Sequence, residues 1–251
     1  MRIRLTLTAA VTAGIIATMG AGVAAPAAPA SCAVPTFGPG ASYHPAIDPA
    51  AFSPNVINPW YPLIPGTVFV YAGVKDGKAA LDIYAPSART KRIDGVTTRV
   101  VEDRLFLNNH LAERTTDYYA QDKCGNVWYF GEDTVEVSPS GRVTTPAGSF
   151  HAGVRGAQPG VYMQANPQIG REFRQEWLRG QAEDQFRASS YSARTKVPYG
   201  HFSHLLKTTE TSALEPGIIG IKLYRKGVGE LLESDITGPQ ETLKLVEVIR
   251  P

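Results

Sequence analysis

The chain has 251 residues, 43% hydrophobic and 19% charged, with a formal net charge of +2. Those proportions describe a folded globular protein and exclude a disordered one. Part of the small positive charge belongs to Arg2 and Arg4 and no basic stripe remains, so nucleic acid is not an expected partner.

Met1-Arg2-Ile3-Arg4 is a short basic start, followed by an apolar run from Leu5 to Met19 and small residues at Ala24-Ala25 and Ala28-Pro29-Ala30. This is the pattern of a secretory signal peptide over residues 1–30, which places the mature protein in the cell envelope or outside the cell. Pro29-Ala30-Ser31 lacks the leucine usual ahead of a lipidated cysteine, so lipidation at Cys32 is not expected. Residues 31–65 are rich in Pro, Ala and Gly and form an expected extended leader on the surface. Phe37, Phe52, Trp60, Tyr61 and Leu63 would pin it to the domain.

Cys32 and Cys124 are the only cysteines. In an exported chain they suggest one disulfide from the leader to a hairpin tip, with two unpaired thiols as the alternative. No histidine or further cysteine stands at ligand spacing, so no metal site is built on them.

From Gly66 alternation begins, and residues 66–251 form one β-rich domain. Strands are expected over 67–73, 79–85 and 97–107, with turns at Asp76-Gly77, Asp94-Gly95 and Asn108-Asn109. A long hairpin over 111–137 follows, its tip at 122–126, where Gly125 can take positive φ and Asp122 and Asn126 can bond their own backbone. After a Gly-rich middle, strands are expected over 173–178, 182–194, 204–212, 218–224, 229–233 and 243–248. Pro198-Tyr199-Gly200 and Glu215-Pro216-Gly217 are turns between them. The best short helix candidate is 176–185, weakened by Gly180. The fold class is therefore all-β: one antiparallel meander curved into a half-barrel or barrel-like sandwich, with a Pro-rich N-terminal extension.

Regular pairing in the hairpin puts Ala120/Trp128, Tyr118/Phe130 and Thr116/Glu132 on one face. Tyr119/Tyr129, Asp117/Gly131, Thr115/Asp133 and Glu113/Val135 share the other. The adjoining turn opposes Asp103 to Arg114 and Arg104 to Glu113. Val101 and Leu105 fall with the apolar face, and the acidic face gathers Glu113, Asp117 and Asp133 beside Tyr119 and Tyr129. Carboxylates at Asp117, Asp133 or Glu132 suit acid/base work if burial drives their pKa values apart. Glu113, Asp117 and Asp133 with the two tyrosines suit a ligand or Ca²⁺. A solvated face paired with Arg99 and Arg104 is the plain alternative. Glu172, Glu176, Glu183 and Asp184, interleaved with Arg171, Arg174 and Arg179, are expected as exposed ion pairs. No nucleophile elbow, phosphate loop or dinucleotide fingerprint occurs, and no cofactor is expected.

The run Gly125-Asn126-Val127-Trp128-Tyr129-Phe130-Gly131-Glu132 resembles a signature of exported bacterial proteins of unknown function. So do Thr208-Thr209-Glu210 through Leu214-Glu215-Pro216-Gly217 and the ending Tyr224 with Gly227-Val228-Gly229. That ending is similar to the TapB-like family of periplasmic β-proteins. The resemblance implies a curved antiparallel sheet in the cell envelope and brings no catalytic residues with it.

These readings together favour a non-enzymatic exported protein that binds an apolar or amphipathic ligand, a lipid included, or associates peripherally with the envelope. A carboxylate-dependent hydrolase or lyase and a Ca²⁺-stabilised extracellular domain are the alternatives.

Overall fold

The computed structural model describes residues 33–35, 37–144 and 148–251. The expected signal segment and Cys32, and with Cys32 the bond to Cys124, lie outside the described residues. The chain from Ser31 onward forms one unit. Its strands are β1 (Phe52–Ser53), β2 (Val68–Lys75), β3 (Lys78–Ile93), β4 (Val96–Leu107), β5 (His110–Asp122) and β6 (Val127–Val137). There follow β7 (Val143–Thr144), β8 (Phe150–His151), β9 (Gln158–Met163), β10 (Glu172–Arg174) and β11 (Glu176–Trp177). The last five are β12 (Asp184–Val197), β13 (Gly200–Ser212), β14 (Ile219–Arg225), β15 (Gly229–Thr237) and β16 (Glu241–Ile249). No α-helix occurs among the described residues, so 176–185 is not helical; Arg179-Gly180 instead turns the chain between β11 and β12.

Turn chemistry sets the meander. Asp76-Gly77 (φ 52° and 71°), Asp94-Gly95 (47° and 78°) and Asn108-Asn109 (48° and 66°) all take left-handed φ, which matches the twist of tight hairpins. The sheet runs β10-β12-β13-β14-β15-β16-β2-β3-β4-β5-β6-β9-β11 with antiparallel neighbours throughout. Its two ends meet in one short segment: β10 pairs with β12, and β11, one residue further on, pairs with β9. Gly160 allows this approach, since a Cβ there would lie 2.3 Å from the Gln175 carbonyl carbon. The result is one antiparallel sheet nearly closed into a barrel, which leaves few unpaired edges.

Two layers of core follow. Outside β4–β6, Phe52 of the leader meets Trp128 and Phe130 edge-on at 5.7 and 5.3 Å and covers Val100, Tyr118 and Val161. Inside, Val56, Trp60, Tyr61 and Leu63 pack against Val101, Tyr119, Tyr129, Leu206 and Tyr224. The end of the leader is thus a plug in the concave face and not a surface extension, because four apolar side chains in eight residues have nowhere else to be buried.

Asn58 holds the plug. Its Nδ2 donates to Gly125 O (2.8 Å) and Gln164 O (3.1 Å), and its Oδ1 accepts from the Trp60 (2.8 Å) and Tyr61 (3.3 Å) amides. Asn58 is 2% exposed, so Asn58→Ala strands those groups away from water. The expected cost is about 2–3 kcal/mol, measured as a lower urea midpoint with faster proteolysis between 54 and 65. An unchanged midpoint and cleavage rate would show that Asn58 does not anchor the segment.

Candidate functional site

β5 and β6 keep the expected pairing only near the tip, with Ala120 opposite Trp128 and Tyr119 opposite Tyr129. Beyond it Phe130 is an extra residue: Tyr118 faces Gly131, Asp117 faces Glu132 and Thr116 faces Asp133. A bulge of this kind moves every later side chain to the other face. Gly131, at φ 140°, makes room for β8, for a Cβ there would stand 2.2 Å from Phe150 O. A second bulge, at Ala112, sets Leu105 opposite Glu113 and Arg104 opposite Arg114. The expected Asp103/Arg114 and Arg104/Glu113 pairs therefore do not form, and Val101 and Leu105 share the face of Asp117 and Glu113.

Two acidic sites result instead of one. Asp133 lies on the outside, where Tyr118 Oη donates to its Oδ2 at 2.5 Å, Lys91 Nζ is 3.1 Å away, and His151 Nε2 lies 3.0 Å from Oδ1. Burial alone would raise the Asp133 pKa, but the bonds from Tyr118 and Lys91 hold it below the usual carboxylate range. The sheet separates it from Asp117, so the expected groupings of Asp133 with Asp117, as acid and base or as ligands of Ca²⁺, do not assemble. Among the described residues no group of three or more His, Cys, Asp or Glu is placed to hold a metal ion.

Asp117 points inward and is 5% exposed. Tyr129 Oη lies 2.6 Å from Asp117 Oδ1 and 3.0 Å from Glu132 Oε2. One hydroxyl proton cannot serve both acceptors, so the trio is satisfied when a carboxyl carries a proton of its own. Burial first, then the charges of Asp103 and Glu132, raise Asp117 well above its ordinary pKa, and burial raises Glu132 and Glu113 likewise. Tyr119 stacks on Tyr129 at 4.8 Å, Tyr61 meets Tyr162 at 4.6 Å, and the Tyr61 and Tyr84 hydroxyls are hydrogen-bonded. Tyr119 and Tyr129 thus belong to an aromatic lining that includes the plug.

The interior continues along β3, β4, β13, β14 and β15. Asp82 and Asp103 face one another diagonally, since Asp82 pairs with Leu105 and Asp103 with Tyr84. Burial, followed by the Asp103 charge, pushes Asp82 up to about 10, and burial raises Asp103. The Lys222 ammonium sits among Glu233 (3.4 Å), Glu210 (3.5 Å) and Glu230 (4.0 Å). Burial alone would lower its pKa, but the three glutamates hold it well above the usual value. Burial also raises Glu210, and Glu230 to about 8.

The interior opens at one end. A mouth cavity of about 420 Å³ is lined by seven carboxylates (Asp76, Asp184, Glu210, Glu215, Glu233, Asp235 and Glu241) against two lysines, Lys75 and Lys222. Below it an inner chamber of about 80 Å³ is walled by Tyr61, Tyr71, Tyr84 and Tyr162 with Asp82 and Asp103. Lys222 and Glu233 line both.

The second acidic cluster also differs from expectation. Glu176 is 8% exposed and raised well above its ordinary pKa by burial, and Asp184 lines the mouth. Arg174 is buried, its Nη2 donating to Gly38 O at 2.6 Å and its guanidinium 4.9 Å over Phe37 and over Trp177. At the surface Glu172 lies 3.9 Å from Arg187, and Glu183 accepts from the Gly180 amide at 2.7 Å. Asp82, Asp103, Glu210, Lys222, Glu230 and Glu233 were not candidates from the sequence as site residues. Their signal is charge within strands otherwise apolar, as in Ile219-Gly220-Ile221-Lys222-Leu223-Tyr224.

These features define a plugged antiparallel barrel whose interior is tyrosine-lined and charged. No family model matches the chain, and no curated protein sequence matches it. Two solved structures align with the chain, each 11% identical. One, from Bacteroides fragilis and described as an exported protein with a YmcC-like fold, aligns over 76% of this chain and 99% of its own with a TM-score of 0.45. The other, from Parabacteroides distasonis and described as a lipoprotein, aligns over 75% and 97% with a TM-score of 0.40.

Proposed function

We propose that the chain is an exported, non-enzymatic binding protein whose barrel mouth takes an amphipathic ligand with a cationic head. Export rests on the signal pattern of residues 1–30. The resemblance to TapB-like periplasmic β-proteins agrees with an envelope setting and contributes no site residue. The observation that carries the ligand class is the mouth cavity, where seven carboxylates stand against two lysines. Walls of one sign around a low-dielectric cleft focus the field and concentrate counter-ions of the opposite sign. Tyrosine rings below the mouth offer faces to an ammonium and to the alkyl stem attached to it. A purely apolar ligand would leave these carboxylates desolvated without partners, which disfavours it.

The test is calorimetric titration at low ionic strength and pH 7.5 with n-pentylamine and, as the anionic counterpart, sodium hexanoate. n-Pentylamine is expected to bind, more weakly as salt is added, and hexanoate not to bind. Asp235→Asn, which removes a mouth charge while keeping its shape, is expected to weaken amine binding by about threefold to tenfold. Equal binding of amine and carboxylate, or no amine binding at all, would overturn the cationic assignment.

A further inference from the structure

The mouth is not the end of the path. Lys222 and Glu233, 3.4 Å apart, line both the mouth and the inner chamber, so the way inward passes their ion pair. The chamber is small. Its roughly 80 Å³ is several times the ~10–15 Å³ that one water needs. It admits an aminomethyl end and excludes a ring or a lipid headgroup. Its floor is acidic: Asp82 Oδ1 is buried there and accepts no hydrogen bond. Four tyrosines supply aromatic faces around it. Lys222 demonstrates the chemistry internally, because its alkyl stem and ammonium already lie along this wall among three glutamates.

We propose that the inner chamber is a second ammonium subsite, and that the ligand class is the linear aliphatic diamines and polyamines. One ammonium lies at Asp82 and Asp103 and the other among the mouth carboxylates. The assignment rests on the cationic reading of the mouth and narrows it. The carboxyls of Asp82 and Asp103, diagonal neighbours across β3 and β4, are kept from mutual repulsion by a shared proton. An ammonium arriving there takes over that role, and the proton leaves to solvent, so the charge of the chamber is unchanged. A monoamine held at the mouth displaces no such proton.

Titration of the wild-type chain with 1,5-diaminopentane and n-pentylamine separates the possibilities. The diamine is expected to bind about tenfold more tightly. Run in two buffers of different ionisation enthalpy, its binding is expected to release about one proton more than that of the monoamine. Asp82→Asn is expected to bring the affinity for the diamine down to that for n-pentylamine and to abolish the extra proton. Equal affinities for the two amines would overturn the subsite and leave the mouth assignment standing. A preference that survives in both Asp82→Asn and Asp103→Asn would place the second ammonium elsewhere and overturn the assignment to this chamber. Binding of neither amine would overturn the mouth and the chamber together.

Discussion

Lys222→Met will destabilise the protein by about 3–5 kcal/mol at pH 7.5. The substitution keeps the length and packing of the stem and removes only the ammonium. Glu210, Glu230 and Glu233, with side chains 17%, 13% and 35% exposed, are then left facing one another beside Tyr71 and Tyr162. Removing one partner of a buried ionic cluster costs far more than the net worth of the cluster, because the remaining charges are desolvated and uncompensated. Glu233, more than a third open to water, contributes the least of the three. The carboxyls can also relieve the strain by taking up protons, for burial already raises Glu210 and puts Glu230 at about 8. The penalty should therefore shrink as pH falls. Urea midpoints of wild type and variant measured at pH 7.5 and 4.5 are expected to differ widely at the first and to converge at the second. A gap that is the same at both pH values would mean that packing of the lysine stem, and not its charge, is what the barrel needs.

The contrast between Lys222 and the hairpin shows what the sequence makes legible. Turns are local chemistry, so Asp76-Gly77, Asp94-Gly95 and Asn108-Asn109 announce themselves and fix the meander. Alternation then predicts faces only for as long as pairing stays regular. Single extra residues at Ala112 and Phe130 carry Asp133 outside and bring Glu132, Val101 and Leu105 inside. Nothing in the period-2 pattern marks them except Gly131, whose missing Cβ is what β8 requires. Asp117, Glu113, Tyr119 and Tyr129 were legible because they lie on strand β5 or before the bulge at Phe130. Lys222 was not, because Glu233 opposite it on β15 and Glu210 diagonal to it on β13 become its partners only through the strand register, which the residues of β14 by themselves do not announce. Burial of the plug was hidden for the opposite reason. Asn58-Pro59-Trp60-Tyr61-Pro62-Leu63 is irregular backbone, which normally lies at the surface. Here Asn58 satisfies enough of the surrounding backbone to let it go inside.

Asp82→Asn will stabilise the protein at neutral pH by about 2–4 kcal/mol. In the folded chain the Asp82 carboxyl titrates at about 10, raised by burial and then by Asp103; in the unfolded chain it titrates near the ordinary 3.8. A carboxyl whose folded pKa lies above its unfolded one binds its proton more tightly when folded. Its contribution is therefore most favourable below the unfolded value and is lost progressively as pH rises from about 4 towards 10. That is the reverse of the usual salt-bridged aspartate. The wild-type melting temperature is accordingly expected to decline across this range, and Asp117, raised by burial and the Asp103 charge, adds to the slope. Asparagine is neutral at every pH and donates a hydrogen bond from nearly the same shape, so it can bond Asp103 without a shared proton. The variant should melt higher than wild type at pH 7.5 and come close to it at pH 4.5, with a flatter profile between. Asp133→Asn supplies the opposite sign in the same molecule. That carboxylate is held below its ordinary range by Tyr118 and Lys91 on the outer face, so its removal should not stabilise the fold at any pH. If Asp82→Asn melts lower than wild type at pH 7.5, Asp82 is ionised and paired in the folded state. The protonated interior would then be wrong, and with it the proton that an entering ammonium is expected to displace.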